Sequence, residues 1–356
     1  MEPSISPRER VRLALDHKQP DRPPVLAWMT PEAWAAVCDY LARANASPDS
    51  GPIDLARVLE IDFRYVQPLS RTPGPAAAAI GPPLPDGIYQ DVRERPLAWI
   101  RTAEDVRRYQ PDYDPDAFNF TGLASAAEQA GDYAIVFGSP GVFDLVNGLG
   151  ARGLGLEDLF CGIVTGDPVV GALVDKRLEY HYEFCRRGLE AGGGRIDILH
   201  IGEDCGNQRS THFSPEFFRR FFAPRLRRFA DLAHRHGARC MLHSCGSNWS
   251  LYPILIEEVG IDIHDSCQPE PVDMDPARLK RTYGDRITFC GLLSLQRTLS
   301  KGTPEDCRRE AAFLVDEMGR DGGYIFAPAN TITRDAPPEN VLAAYEVVLR
   351  KSLLAR

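Results

Sequence analysis

The 356-residue chain has no uncharged apolar run of the roughly 18 residues that would suggest a bilayer-spanning helix. Its opening stretch, MEPSISPRERVRLALDHK, lacks the apolar core of a secretory signal. No disulfide framework is visible either: nine cysteines, an odd number, are scattered without regular spacing. These absences predict a cytoplasmic protein with free thiols and no membrane partner. Basic residues are also short, with 41 Lys and Arg against 50 Asp and Glu, for a net charge of −9. The pairs Arg219–Arg220 and Arg227–Arg228 sit among apolar residues at helical spacing and form no basic patch. Such an acidic chain disfavours binding to nucleic-acid phosphates, so no nucleic-acid partner is expected. Internal repeats and low-complexity tails are missing too. The composition is 44% hydrophobic and 26% charged, which is ordinary for a globular protein able to bury a core without staples.

The first element expected is a helix over Pro7–His17, with Ser6 as its cap, Pro7 in its first turn and Val11, Leu13, Ala14 and Leu15 on its apolar side. QPDRPP ends it, Val25–Trp28 reads as a strand, and Pro31–Ala44 reads as a second helix. Two Pro-rich stretches follow, SPDSGP and RTPGPAAAAIGPPLPDG. The second reads as an elaborated loop or hairpin, because Asp62–Gln67 and Gly87–Asp91 on either side look extended. Beyond residue 133, strand-like runs recur at Tyr133–Gly138, Ile196–Gly202, Ala238–Cys245, Ile261–Ser266, Ile287–Leu292 and Gly323–Pro328. Amphipathic helices such as Pro215–His236 and Pro304–Met318 separate them. Strand–helix alternation implies parallel strands with helical crossovers. Adding Val25–Trp28 and Phe63–Val66 gives eight strands, the number that closes a (β/α)8 TIM barrel. The α/β chain is therefore expected to be a single barrel domain over residues 1–356 with N-terminal elaborations. The alternative, an open doubly wound sheet, calls for a G-x-G-x-x-G loop after an early strand. The Gly-rich run AGGGR at 191–195 precedes a strand instead of following one.

Barrel chemistry sits at strand C-termini, and there the sequence turns polar. Successive strands end in Glu203-Asp204-Cys205, His243-Ser244-Cys245, His264-Asp265-Ser266-Cys267-Gln268, Cys290-Gly291 and Ala329-Asn330. The sharpest pattern is His243-x-Cys245, since residues two apart on a strand share a face. Imidazole and thiolate together favour zinc; the competing reading is a core histidine beside a buried free thiol. A catalytic zinc needs a third protein ligand, for which Cys290 and Glu203 are candidates. Glu203 and Asp204 are also candidates for general acid/base work, against the alternative of a solvated loop pair. Asp265 and Cys267 share a face with Ile263. Gln268 and Asn330 are candidates to orient substrate, and Trp28, Trp249, Phe63 and Phe143 either line a pocket or pack the core. Cys38, Cys161, Cys185 and Cys307 fall in helical patterns and read as structural.

In these stretches the chain resembles the uroporphyrinogen decarboxylase superfamily: RERVRLALDHKQPDRPPV at the start, FGSPGVFD (137–144), DILHIGEDCGNQ (197–208), MLHSCGSNWSLYPILIEEVGIDI (241–263), ITFCGLLSLQ (287–296) and GGYIFAPANTITRDAPPENV (322–341). The resemblance implies a (β/α)8 barrel and two main chemistries. True decarboxylases of a tetrapyrrole use an Arg-rich N-terminal loop and an Asp on an early strand. Here the comparable PPVLAWMTPEAW (23–34) has no Arg, whereas Asp62 falls at the matching Asp position, a candidate for substrate binding. The other branch moves methyl groups to or from a corrinoid protein with the help of zinc, and the chain is similar to it through His243-x-Cys245-Gly246. That branch completes its zinc site with a distal Cys, where this chain has Asn330. The resemblance thus implies a methyltransferase or O-demethylase-type enzyme with Zn(2+), a small methylated substrate and a corrinoid held by a partner protein. Decarboxylation and a non-catalytic binding barrel are the alternatives, and a homodimer is compatible with the sequence.

Overall fold

A computed structural model of the protein describes residues 5–44, 53–70, 95, 97–111, 114–138 and 145–354. The Pro-rich stretch at 71–87, the extended Gly87–Asp91 expected after it and Phe143 lie outside the described residues. Seven parallel strands follow one another in chain order around a single curled sheet. They are β1 (Phe63–Val66), β2 (Ala134–Gly138), β3 (Ile198–Gly202), β4 (Arg239–His243), β5 (Ile263–Cys267), β6 (Thr288–Leu293) and β7 (Tyr324–Pro328). From β2 to β7 every strand residue is buried except those at the two ends of β4, Arg239 and His243. That is the pattern of parallel strands covered on both faces, which explains why their sequences read as apolar runs.

The expected strand at Val25–Trp28 is not a full ladder member. It is a segment with isolated parallel bridges, Val25 to Phe326 and Met29 to Ile332. It nevertheless fills the eighth place. The Leu26 amide donates to the Phe326 carbonyl at 3.0 Å and the Phe326 amide to Pro24 O at 2.8 Å, while on the other side the Asp62 amide donates to Val25 O at 3.0 Å. Pro23 and Pro24 have no amide hydrogen to give, so regular pairing cannot extend backward from Val25. The Val25 amide is instead taken by the Asp62 carboxylate at 2.7 Å.

Asp62 lies just before β1, at the N-terminal end of the barrel, and is fully buried. Arg10 reaches one carboxylate oxygen at 2.6 Å and Arg22 the other at 2.8 Å. The sequence-based expectation that Asp62 binds substrate is therefore corrected. It sits at the end of the barrel opposite the strand C-termini, and its oxygens are committed to two buried guanidiniums and a backbone amide.

The helices follow the sequence signals closely. The first spans Pro7–Leu15, and the Ser6 hydroxyl accepts the Glu9 amide at its N-terminus. The helix expected over Pro215–His236 divides into Pro215–Phe221 and Ala223–Arg235. Pro224, in the first turn of the second piece, lacks the amide that would continue the first. Cys38, Cys161, Cys185 and Cys307 all lie in helices, as expected. No helix is long and apolar enough to cross a membrane among the described residues.

Replacing Asp62 with Ala removes the one buried carboxylate shared by Arg10 and Arg22 and leaves them only the partly exposed Asp21 and Glu60. The expected loss is about 3–5 kcal/mol of folding stability, read by chemical denaturation; a loss under about 1 kcal/mol, the level of exposed pairs, would contradict the structural role.

Candidate metal centre

The C-terminal ends of β3, β4 and β5 converge on His243. In the register, His243 stands beside Gly202 of β3 on one side and Asp265 of β5 on the other. The His243 Nδ1 lies 2.9 Å from Asp265 Oδ2 in a hydrogen bond. An imidazole bonded to a carboxylate through one nitrogen presents the other to its surroundings with a fixed orientation. That other nitrogen, Nε2, lies 3.6 Å from the Cys245 sulfur and 3.9 Å from Asp204 Oδ1. Asp204, His243 and Cys245 form a three-donor group whose ligand atoms all lie within 4.8 Å of one another.

These donors fit zinc. Zinc–nitrogen bonds of about 2.0–2.1 Å and zinc–sulfur bonds of about 2.3 Å at a tetrahedral angle place N and S about 3.6 Å apart, the separation found here. The hard and soft atoms together match zinc's borderline preference. Three protein ligands leave a fourth position, as in catalytic sites. All three residues are partly exposed, so the centre faces the mouth of the barrel.

The surrounding loops are locked by polar contacts. Asp204 Oδ1 accepts the Cys245 amide at 2.7 Å, and Gln268 Oε1 accepts the Gly246 amide at 2.8 Å. Asn330 Nδ2 donates to the Cys245 sulfur at 3.1 Å. The loop after β3 presses on the loop after β4 so closely that a Cβ on Gly246, at φ +83°, would meet the Gly206 backbone at 2.4 Å. Only glycine meets both demands there, the positive φ and the close approach. Below the loop, Ser244 donates to Asn248 at 3.0 Å, and the Ser244 carbonyl lies 2.9 Å from His264 Nε2. Burial drives His264 down to about 4, so it packs as a neutral ring.

A second group lies deeper. His200, in the middle of β3, places Nε2 3.2 Å from Asp265 Oδ2, close but not aligned as a hydrogen bond. Tyr65 OH lies 3.3 Å from His200 Nδ1, and the Trp28 ring packs on Tyr65 at 4.9 Å and on His200 at 6.0 Å. His200, His243 and Asp265 form a second three-donor group, but Asp265 and His200 are fully enclosed. Burial alone would raise the Asp265 carboxyl, yet His200 and His243 hold it well below the usual carboxylate range. Burial opposes a charge on His243, while Cys245 and Asp265 outweigh it and raise its pKa. Burial pushes the Cys245 thiol up, and His243 pulls it the other way.

The sequence-based candidates divide accordingly. His243, Cys245, Asp204, Gln268 and Asn330 come together. Trp28 stands one residue removed, behind His200. Cys290 is fully buried beside Asp265, outside both donor groups, and burial followed by the Asp265 charge raises its thiol. The third donor grouped with His243 and Cys245 is Asp204, where the sequence suggested Cys290 or Glu203. Glu203 is corrected as well. It is buried, and its carboxylate accepts the Val146 amide at 2.6 Å and the Asn147 amide at 3.2 Å, so it anchors a neighbouring segment. Trp249 is drawn outward, where Arg278 stacks on it at 3.8 Å, and Phe63 packs in the core. Sequence reasoning passed over His200 and Tyr65. The signal was a lone histidine inside the otherwise apolar strand ILHIG.

Comparison with known proteins agrees with this architecture. A family model described as uroporphyrinogen decarboxylase matches residues 149–350, more than half of the chain. A curated uroporphyrinogen decarboxylase from Pseudoalteromonas translucida is 34% identical over 61 residues, a match spanning 17% of this chain and 17% of that one. A methyltransferase from Methanosarcina mazei superposes with a TM-score of 0.62 at 19% identity, covering 97% of this chain and 99% of the other, a likeness of fold.

Protein purified from zinc-supplemented medium is expected to carry one zinc per chain by metal analysis, with His243→Ala and Cys245→Ser losing it. Asp265→Asn is expected to weaken zinc affinity about 10–100-fold, measured by chelator competition. Unchanged affinity in Asp265→Asn would separate the carboxylate from the metal.

Proposed function

As the chain belongs to the uroporphyrinogen decarboxylase family, we propose that it is a zinc-assisted methyltransferase or O-demethylase-type enzyme, moving a methyl group between a small methylated substrate and the corrinoid of a partner protein. The observation that carries this reading is the convergence of His243 Nε2, Cys245 Sγ and Asp204 Oδ1 at the open end of the barrel. Zinc held there supplies Lewis acidity toward the ether, amine or thiol heteroatom of a substrate. Asp265 fixes the His243 ring so that Nε2 faces the donor group. Asn330 directs an amide hydrogen at the Cys245 sulfur, which spreads the negative charge of a thiolate and holds its position. Gln268 and Asp204 take the amides on either side of this sulfur, so its backbone cannot drift when substrate enters. Buried Tyr65 and His200, with the partly buried Trp28, form the floor beneath the donors. The name borne by the Methanosarcina mazei neighbour is in keeping with this chemistry.

Porphyrinogen decarboxylation has less support. A polycarboxylate needs cationic clamps, and the 23–34 segment offers none. Asp62 is sequestered by Arg10 and Arg22 at the far end of the barrel.

The test is a methyl-transfer assay with zinc-loaded protein, methoxylated aromatics and methylamines as donors, and free cob(I)alamin as acceptor, followed by absorbance. The wild type is expected to turn over at least one donor, and His243→Ala to lose about a hundredfold or more. Transfer from none of these donors, together with carbon dioxide release from a tetrapyrrole carboxylate, would overturn the reading.

A further inference from the structure

One layer of the barrel interior beneath the metal centre is polar. Alternate strands of such a barrel contribute the side chains of one layer, and β1, β3 and β5 contribute Tyr65, His200 and Asp265. All three are buried, His200 completely. Tyr65 OH lies 3.3 Å from His200 Nδ1, and His200 Nε2 lies 3.2 Å from Asp265 Oδ2. The same Asp265 oxygen lies 2.9 Å from His243 Nδ1. A polar line therefore runs from Tyr65 through His200 and Asp265 to His243. Neither Tyr65 nor His200 belongs to the group formed by Asp204, His243 and Cys245.

The chemistry of this line fixes where its hydrogens lie. Burial, together with the Asp265 charge, keeps the Tyr65 phenol protonated, so it has a hydrogen to give. Burial pulls the His200 pKa down against the opposing effect of Asp265. The ring is therefore neutral, with one N–H donor and one acceptor nitrogen, while an ionised carboxylate only accepts. With its hydrogen on Nδ1, His200 would turn the Nε2 lone pair to the carboxylate oxygen at 3.2 Å, away from solvent. With the hydrogen on Nε2, an N–H dipole faces the carboxylate and Nδ1 accepts the phenol. The Nε2 contact is bent and not an aligned hydrogen bond, so it acts through charge and dipole. A flip of the ring about its Cβ–Cγ bond would turn carbon atoms toward both partners, and the phenol opposes it.

We propose that Tyr65 and His200 are positioning residues for the metal centre. The Tyr65 hydroxyl holds the His200 ring with its Nε2–H turned to Asp265, and that N–H holds Asp265 Oδ2 where His243 Nδ1 meets it. His243 Nε2 is thereby kept facing Cys245 and Asp204. Neither residue is a ligand in this arrangement; both act through Asp265. The proposal rests on the zinc reading of the Asp204, His243 and Cys245 group.

The test pairs two measurements on the full chain. Long-range proton–nitrogen correlation spectra of protein isotopically labelled at histidine nitrogen distinguish ring tautomers, and His200→Gln assigns the His200 signals by removing them. The wild type is expected to hold His200 as the Nε2–H tautomer, and Tyr65→Phe to move its Nδ1 resonance through loss of the hydroxyl. Zinc affinity is measured by chelator competition. His200→Leu is expected to weaken it about tenfold or more, and Tyr65→Phe about threefold or more. His200→Gln, whose amide N–H can replace the lost donor, is expected to bind zinc more tightly than His200→Leu. Tyr345→Phe removes another buried tyrosine hydroxyl, one that donates to Leu26 O at 2.9 Å, and is expected to bind zinc as the wild type does. An Nδ1–H tautomer in the wild type, unaltered zinc affinity in Tyr65→Phe or in folded His200→Leu, equal affinities of the leucine and glutamine variants, or an equal loss in Tyr345→Phe would each overturn the proposal. If His200→Leu does not fold, the tautomer and Tyr65→Phe decide it. Wild-type protein that binds no zinc would remove the metal reading itself, and this proposal with it.

Discussion

The hydrogen bond between His243 Nδ1 and Asp265 decides how the mouth of this barrel is arranged. A histidine at a strand end has two nitrogens and can offer either. With Nδ1 tied to a buried carboxylate, Nε2 alone is left to face Cys245 and Asp204. Asp265 is itself kept charged in a place where burial would neutralise it, because His200 and His243 flank it. Three adjacent strands thus contribute one unit, in which β5 orients what β4 presents and β3 brings the buried His200 imidazole, its pKa lowered by burial, to the other side of Asp265. No member could be moved by one residue without turning its side chain to the other face of the sheet.

The fold supports this unit through close contact of backbones. Gly206 and Gly246 let the loops after β3 and β4 touch, so that Asp204 can accept the Cys245 amide. The sulfur is then bounded by Asp204, His243 and the Asn330 amide. The resemblance implied a distal cysteine where this chain has Asn330, and the carboxylate that joins His243 and Cys245 comes instead from the neighbouring loop, as Asp204.

Much of this was legible in the chain. Apolar β-branched runs separated by amphipathic helices marked seven strands, and the polar clusters at their ends marked the mouth. The eighth position, Val25–Trp28, was legible too, although Pro23 and Pro24, which have no amide hydrogen, hold it to isolated bridges instead of a full ladder. Single residues were harder to place. Glu203 and Asp204 are neighbours in sequence, yet one turns inward to two backbone amides and the other outward to the donors. That choice depends on the 145–149 segment, distant in sequence, which no local pattern announces. Asp62 was misjudged for a similar reason. Its partners Arg10 and Arg22 belong to an N-terminal segment that wraps beneath the barrel, and only the tertiary structure brings them to it. His200 was visible as an interruption in an apolar strand, but its meaning came from Asp265 two strands away.

The central claim is that Asp265 leaves His243 Nε2, Cys245 and Asp204 as one metal site at the barrel mouth. An anomalous-difference map of zinc-soaked crystals, recorded on both sides of the zinc absorption edge, tests it most directly. The account predicts a single strong peak within bonding distance of His243 Nε2, Cys245 Sγ and an Asp204 oxygen, with Nδ1 still on Asp265. A peak between His200 and Asp265, or coordination of His243 through Nδ1, would contradict it.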